Sequence, residues 1–269
     1  MKLGMVGCGR MGKSLAIGAI EAGAVEAKNF LAHDVRPEAV EELTAESGIQ
    51  AATNLNQLVT SCDVLLLCTK PDDAHEVLRE VASSGTDENS LLIISIAAGL
   101  TVRTIEQYVL NHARVIRAMP NTPALVGKGA AAYTLGTAAT PADGEIAEKL
   151  LGSVGSVVQV KEKLMDVVTG LSGSGPGYVY LFIEALADGG VRNGLPREQA
   201  LQLATQTVLG AASMVQASGL HPAVLKDMVT SPGGTTIAGL STLESEGFRS
   251  ACIQAVTAAT ERSKELGKG

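Results

Sequence analysis

Two short glycine-rich strings, far apart in the chain, carry residues able to do chemistry. Near the start, Gly7-Cys8-Gly9-Arg10-Met11-Gly12 fits the spacing G-x-G-x-x-G. It follows the apolar run "KLGMV" and opens a helix-like stretch, the context in which this spacing binds a dinucleotide. Gly7 suits a tight turn, Gly9 the close approach of a diphosphate, and Gly12 the packing of helix on sheet. The first N–H groups of the helix and its positive dipole end then face the phosphates. Towards the other end, Ser231-Pro232-Gly233-Gly234-Thr235-Thr236 interrupts a run of helices. Its Pro-Gly-Gly turn exposes backbone N–H groups, and a helix is expected to begin near Thr235 or Thr236. That combination makes a nest for a small carboxylate, to which the Ser231 hydroxyl adds a donor. The plainer reading is a helix–helix corner closed by a threonine cap.

The cofactor implied by the first string is NADPH or NADH, and the residues after the second strand pull in opposite directions. Asp34 can accept the adenosine ribose hydroxyls, which favours NAD, while Arg36 can hold a 2′-phosphate, which favours NADP. Further loops at the carboxyl ends of strands are expected to line the same cofactor, through Asn54, Cys68, Thr69, Lys70, Pro71, Ala97 and Asn121.

These residues need a scaffold, and the hydrophobic pattern supplies one. Over residues 1–160, short apolar runs ("KLGMV", "NFLAH", "IQAAT", "DVLLLCT", "SLLIISIA", "ARVIRAM") alternate with helix-like stretches. Among the helical stretches are "PEAVEELTAES", "PDDAHEVLREV" and "VRTIEQYVLNH", the last with Thr101 as its cap. This βαβα rhythm predicts a Rossmann-type, doubly wound α/β sheet. "GAAAYTLG" and "GSVVQV" extend it, separated by a helix from Pro141. Over 161–269 the strand pattern gives way to helices, several of them apolar around most of their circumference. A helix apolar all round needs burial on more than one side, so this all-α region is expected to dimerise.

Composition narrows the function. The 269 residues carry a net charge of −7, with 3% aromatic residues and no tryptophan, which argues against a nucleic-acid partner. The four cysteines form no CxxC pair and read as small buried hydrophobes of a reducing, cytoplasmic protein. The four histidines lack metal-ligand spacing, and no apolar stretch reaches the length of a membrane span.

Three longer strings then add a resemblance. "RAMPNTPALVGKG" (117–129), "LSGSGPGYVYLFIEALADGGVRNGLPREQA" (171–200) and "HPAVLKDMVTSPGGTTIAGL" (221–240), with the N-terminal glycine string, resemble pyrroline-5-carboxylate reductases over almost the whole chain. The resemblance implies NAD(P)H-dependent reduction of the cyclic imine 1-pyrroline-5-carboxylate to L-proline, the last step of proline biosynthesis. It implies a homodimer with intertwined helical domains, which family members often assemble into pentamers of dimers. It also implies that Thr236 places its hydroxyl near the imine nitrogen, while Ser231, Gly234 and Thr235 face the carboxylate. Gly177 departs from the family, which usually has alanine there.

Two other classes fit parts of the pattern. The 3-hydroxyacid dehydrogenases share the architecture but resemble one another in a lysine on the first long C-terminal helix. No lysine lies between Lys163 and Lys226 here. A reductase of a different cyclic imine would keep the same placement logic. A non-catalytic nucleotide-binding regulator would need only the Gly7–Gly12 end.

Overall fold

The computed structural model describes residues 1–84, 91–109 and 113–267. The expected start of the fifth strand at Ser90, and the end of the "VRTIEQYVLNH" helix with His112, lie outside the described residues. By contacts the chain divides into two compact units, one of residues 1–174 and 258–269, the other of residues 175–257.

The first unit is built on an eight-stranded sheet: β1 (Leu3–Val6), β2 (Phe30–His33), β3 (Gln50–Ala51), β4 (Val64–Leu67), β5 (Leu92–Ser95), β6 (Arg114–Met119), β7 (Gly129–Leu135) and β8 (Gly155–Gln159). Their spatial order is β3-β2-β1-β4-β5-β6-β7-β8. The first six are parallel; β7 runs antiparallel to β6, and β8 pairs parallel with β7. Helices α1 (Arg10–Glu21), α2 (Pro37–Ser47), α3 (Leu55–Ser61), α4 (Pro71–Ser83) and α5 (Val102–Tyr108) connect the parallel strands. Chain order reverses between β1 and β4, which is the point where such sheets open a crevice at their carboxyl ends.

The continuous apolar runs make sense once both faces of the sheet are covered. On β4, Val64 and Leu66 join one core while Leu65 and Leu67 join the other. On β5, Leu92 and Ile94 divide from Ile93 in the same way. Local chemistry sets the helix ends. Thr101 Oγ1 accepts from the Thr104 N–H, and Thr140 with Asp143 forms a capping box at the start of α6 (Pro141–Gly152). Gly48 closes α2 in the left-handed conformation at φ 73°.

One helix was not expected from the hydrophobic pattern. Helix α3 is short, but Asn54 caps it by accepting from the Gln57 N–H, and Gln57 reaches back to the Thr53 N–H. An Asn with Gln three residues on is the available signal.

Residues 162–173 pass through a 3₁₀ turn, the short helix α7 (Met165–Val168) and a π-helical turn, Thr169–Gly173. The second unit then comprises α8 (Gly175–Arg192), α9 (Arg197–Ser218), α10 (Pro222–Met228), α11 (Thr235–Ser245) and most of α12 (Phe248–Leu266). Its own core is small: Ala187, Ala200 and Ala204, with Ile183 and Val191 packed against them. Leu181, Leu203, Leu209, Met214 and Ile253 stay exposed. That core covers little of the apolar surface the five helices carry within this unit. Two cysteine expectations are corrected. Cys8 and Cys62 are buried, but Cys68 is half-buried and Cys252 lies exposed on α12, where this unit has no inner side to receive it. Among the described residues no single helix is long and apolar enough to cross a membrane; α9 and α10 pass that test only together, with a 118° bend between them.

Candidate functional site

The crevice at the β1/β4 switch point is a cleft of about 500 Å³. Gly7, Gly9, Asp34, Arg36, Cys68, Thr69 and Lys70 line it, as do His33, Val35, Leu55, Asp73, Glu76, Val77 and Glu80. Sequence reading missed the last group: His33 and Val35 adjoin the two charged residues singled out after β2, while Leu55 of α3 and Asp73, Glu76, Val77 and Glu80 of α4 reach the cleft only through the lateral order of strands.

Each glycine of the first string has a separate geometric reason. Gly7 sits at φ 97°, and a Cβ there would stand 2.7 Å from the Cys68 carbonyl group. A Cβ on Gly12 would run into the Gly7 carbonyl oxygen. At Gly9 an added Cβ would meet nothing within 4 Å, so that residue borders open space. The loop is tied to both neighbouring strands, with the Gly7 N–H donating to the His33 carbonyl at 2.9 Å and the Cys68 N–H to Val6 at 2.8 Å. Helix α1 starts behind Gly9 without a side-chain cap or an acidic residue in its first turn. Its free N–H groups therefore keep their attraction for an anion.

Asp34 is less available than its position suggests. Its side chain is only 9% exposed. Oδ2 accepts the Cys8 N–H at 2.7 Å and Oδ1 accepts the Arg36 N–H at 2.9 Å. The Arg36 guanidinium stands 3.6 Å from Oδ1 and remains 66% exposed on the cleft. Burial, with Asp34 beside it, pushes the Cys8 thiol up to about 12 despite Arg36. Cys68 is raised as well, again mainly by burial and then by Cys8. Both thiols are neutral; Cys68 belongs to the cleft wall and Cys8 to the core behind it. The Thr69 hydroxyl oxygen is buried in the same wall with no hydrogen-bond partner among the described residues.

Other expected residues lie off this cleft. Arg10 lines a second hollow of about 460 Å³ on the far side of α1, with Lys13, Leu125 and Val126. Met11 packs against the core, and Ala97 is buried after β5. Pro71 is the first residue of α4, where its missing N–H costs nothing. The Asn54 carbonyl is taken by its cap. Asn121 is buried and fully engaged: Oδ1 accepts the Ala130 N–H at 2.8 Å, and Nδ2 donates to the Ser172 carbonyl at 2.9 Å. Its amide ties the end of β6 to β7 and to the π turn.

In the helical unit, the second string forms the turn that sequence suggested, with one decisive detail. The Gly234 N–H closes on the Ser231 carbonyl at 3.1 Å, and Gly233 takes φ 66°. A Cβ on Gly234 would collide with Ser231 Oγ. The residue capping α11 is Gly234, not a threonine, and no side chain caps it. Thr235 and Thr236 are therefore its first two helical residues. Neither hydroxyl, nor that of Ser231, has a hydrogen-bond partner among the described residues, and no acidic residue occupies the first turn. A threonine at the cap would have spent its hydroxyl on a helix N–H; with Gly234 there, no hydroxyl is spent that way.

Comparison with known proteins completes the picture. Residues 2–99 match the family model described as NADP oxidoreductase coenzyme F420-dependent, and residues 162–266 match that for pyrroline-5-carboxylate reductase dimerisation. The chain is 48% identical to the pyrroline-5-carboxylate reductase of Methanosarcina acetivorans, covering 99% of this chain and 98% of that protein. It is 40% identical to that of Escherichia coli, with the same coverage. The structure of a pyrroline-5-carboxylate reductase from Coxiella burnetii superposes with a TM-score of 0.95 at 33% identity, covering 100% of this chain and 99% of that one. Pyrroline carboxylate reductase of Plasmodium falciparum with NADP bound gives 0.86 at 36% identity, covering 99% and 98%.

Proposed function

The chain belongs to the pyrroline-5-carboxylate reductase family, and from that premise we propose how its own residues carry out the reaction. The reaction is the NAD(P)H-dependent reduction of 1-pyrroline-5-carboxylate to L-proline. A hydride added at the imine carbon and a proton at its nitrogen convert the C=N bond into a secondary amine.

The cleft at Gly7–Gly9 fits a nicotinamide dinucleotide, because the loop leaves space at Gly9 and uncapped N–H groups at the start of α1. Bound there, the cofactor supplies the hydride. Gly7, Gly9 and the first turn of α1 hold the diphosphate, with Cys68, Thr69 and Lys70 forming the opposite wall. The proposed reductant is NADPH, its 2′-phosphate held by Arg36. This reading is supported by the exposed guanidinium, by the engagement of Asp34 with the loop, and by the NADP-bound relative.

The Ser231–Thr236 turn receives the substrate. Its carboxylate lies against the first-turn N–H groups and the hydroxyls of Ser231 and Thr235, and Thr236 faces the imine nitrogen. A protonated imine is already electrophilic, so these residues act by placement and electrostatics rather than covalent chemistry. The observation that carries the assignment is the glycine cap of α11, which leaves those hydroxyls without a structural task.

The working unit is proposed to be a homodimer that covers the exposed faces of α8, α9 and α12, with pentamers of such dimers as the larger assembly. The proposed compartment is the cytoplasm, in keeping with four free cysteines.

The test is oxidation of NADPH and NADH by the purified protein with 1-pyrroline-5-carboxylate. Turnover is expected, and Thr236→Ala is expected to lose it while binding NADPH as before. A folded protein that binds nucleotide but reduces no 1-pyrroline-5-carboxylate would overturn the reading.

A further inference from the structure

Arg117 belongs to none of the binding roles above, yet it is nearly buried on β6, its side chain 5% exposed. A buried guanidinium is retained only when it is well paired. Its Nη1 donates to Glu162 Oε1 at 2.9 Å, and its Nη2 stands 4.0 Å from Asp166 Oδ1. Glu162 Oε1 also accepts the Val102 N–H, at the start of α5. Asp166 Oδ1 accepts the Ser263 hydroxyl at 2.8 Å, from 97 positions further along the chain. Ser263 is itself 4% exposed, one of only two buried residues on α12, and both are hydroxyl residues.

The places of these residues in the chain give the cluster its meaning. Glu162 and Asp166 stand just before the chain leaves the nucleotide unit after Ser174, and Ser263 stands just after it returns at Ala258. Departure and return are thus joined on one carboxylate, and the guanidinium of one arginine of the sheet, bonded to Glu162, stands 4.0 Å from it. A second tie follows on each side. Asn121 holds the Ser172 carbonyl on the outgoing segment, and on the returning one Leu266 lies against Gly99, 3.8 Å from where a Cβ would stand. Gly99 and Asn121 both belong to loops at the carboxyl ends of parallel strands, the side on which the cleft opens.

We infer that Arg117, acting through Asp166 and Ser263, is a positioning residue that pins both chain crossings at one place, and that turnover depends on it. The inference rests on the reading that the cleft holds the hydride donor and residues 231–236 the substrate. Hydride transfer tolerates little misplacement, whereas nucleotide binding uses only the first unit, so a loosened clamp separates the two.

The experiment compares Ser263→Ala, Arg117→Met and Arg117→Lys with the parent in the full-length protein. In Ser263→Ala, kcat is expected to fall about fivefold while the NADPH dissociation constant stays within about twofold. Arg117→Met should fall further, and Arg117→Lys should recover part of the loss. Should Arg117→Met fail to fold because the half-buried Glu162 and Asp166 lose their shared cation, Ser263→Ala decides alone. Amide hydrogen exchange supplies a readout independent of substrate: in Ser263→Ala, residues 165–174 and 258–266 should loosen together. A kcat within about twofold of the parent in Ser263→Ala, or loosening confined to 258–266, overturns the inference. A parent without turnover would instead count against the substrate assignment, and the exchange measurement would still decide the clamp.

Discussion

The Asp34 carboxylate accepts the backbone N–H of Cys8 at 2.7 Å, so the residue expected to read the ribose also braces the loop expected to hold the diphosphate. A charged acceptor on a backbone N–H contributes about 1.5–3 kcal/mol. Asp34→Ala should therefore weaken NADPH and NADH in parallel, each by about tenfold, while Asp34→Asn, which keeps an acceptor, holds both within about threefold. Nucleotide titrations by fluorescence check this. Loss of NADH binding alone in Asp34→Ala, with NADPH unaffected, would return Asp34 to the role of ribose reader. Arg36→Gln should act in the opposite sense, weakening NADPH about tenfold and sparing NADH.

Alkali should destabilise the protein through groups that fold into apolar surroundings. Burial first, and then neighbouring Asp63, raises Cys62 from 9.0 to about 12. Burial and then Asp34 do the same for Cys8. Burial followed by the hydrogen bond to Glu148 raises Tyr133 from 10.0 to about 12. A raised folded pKa means that the folded state holds its proton longer than the unfolded chain does. The stabilisation is complete below pH 9.0 and is lost progressively as pH rises towards about 12. Thermal midpoints measured across that range should decline, and Cys62→Ala should flatten the decline whatever it does at neutral pH. A parent midpoint that does not move across the range would show that these thiols and the phenol do not report on folding.

The exposed apolar surface of the helical unit makes assembly the next prediction. Leu203 is 57% and Met214 54% exposed, and eleven residues of helix, three turns, place them on one face of α9. Burying each side chain contributes about 1.5–3 kcal/mol. Replacing both with glutamate should shift the protein from dimer to monomer in light scattering and abolish turnover. A double variant that stays dimeric and active would place the interface on another face.

Gly177 offers a gain rather than a loss. It lies in the first turn of α8 at a negative φ, and a Cβ there meets nothing within 4 Å. Gly177→Ala should stabilise the protein by about 0.5–1 kcal/mol, read as a higher denaturation midpoint with unchanged kcat. A lower midpoint would mean that a second copy fills the space beside Gly177.

The amino-acid sequence by itself determined whatever depends on neighbours along the chain. The strand runs, the capping of α5 by Thr101, the left-handed close of α2 at Gly48 and the turn before Thr235 all follow from side chains within about four residues of one another. Only the tertiary structure decided which groups are spent and which are free. It set β4 beside β1, bringing Cys68 against Gly7; it gave Asp34 to the Cys8 N–H and the Asn121 amide to Ala130 and Ser172. It also joined Asp166 to Ser263. The reason is physical: a polar side chain takes whichever partner the fold brings within about 3 Å, and across crossovers and returning helices that choice leaves no local trace.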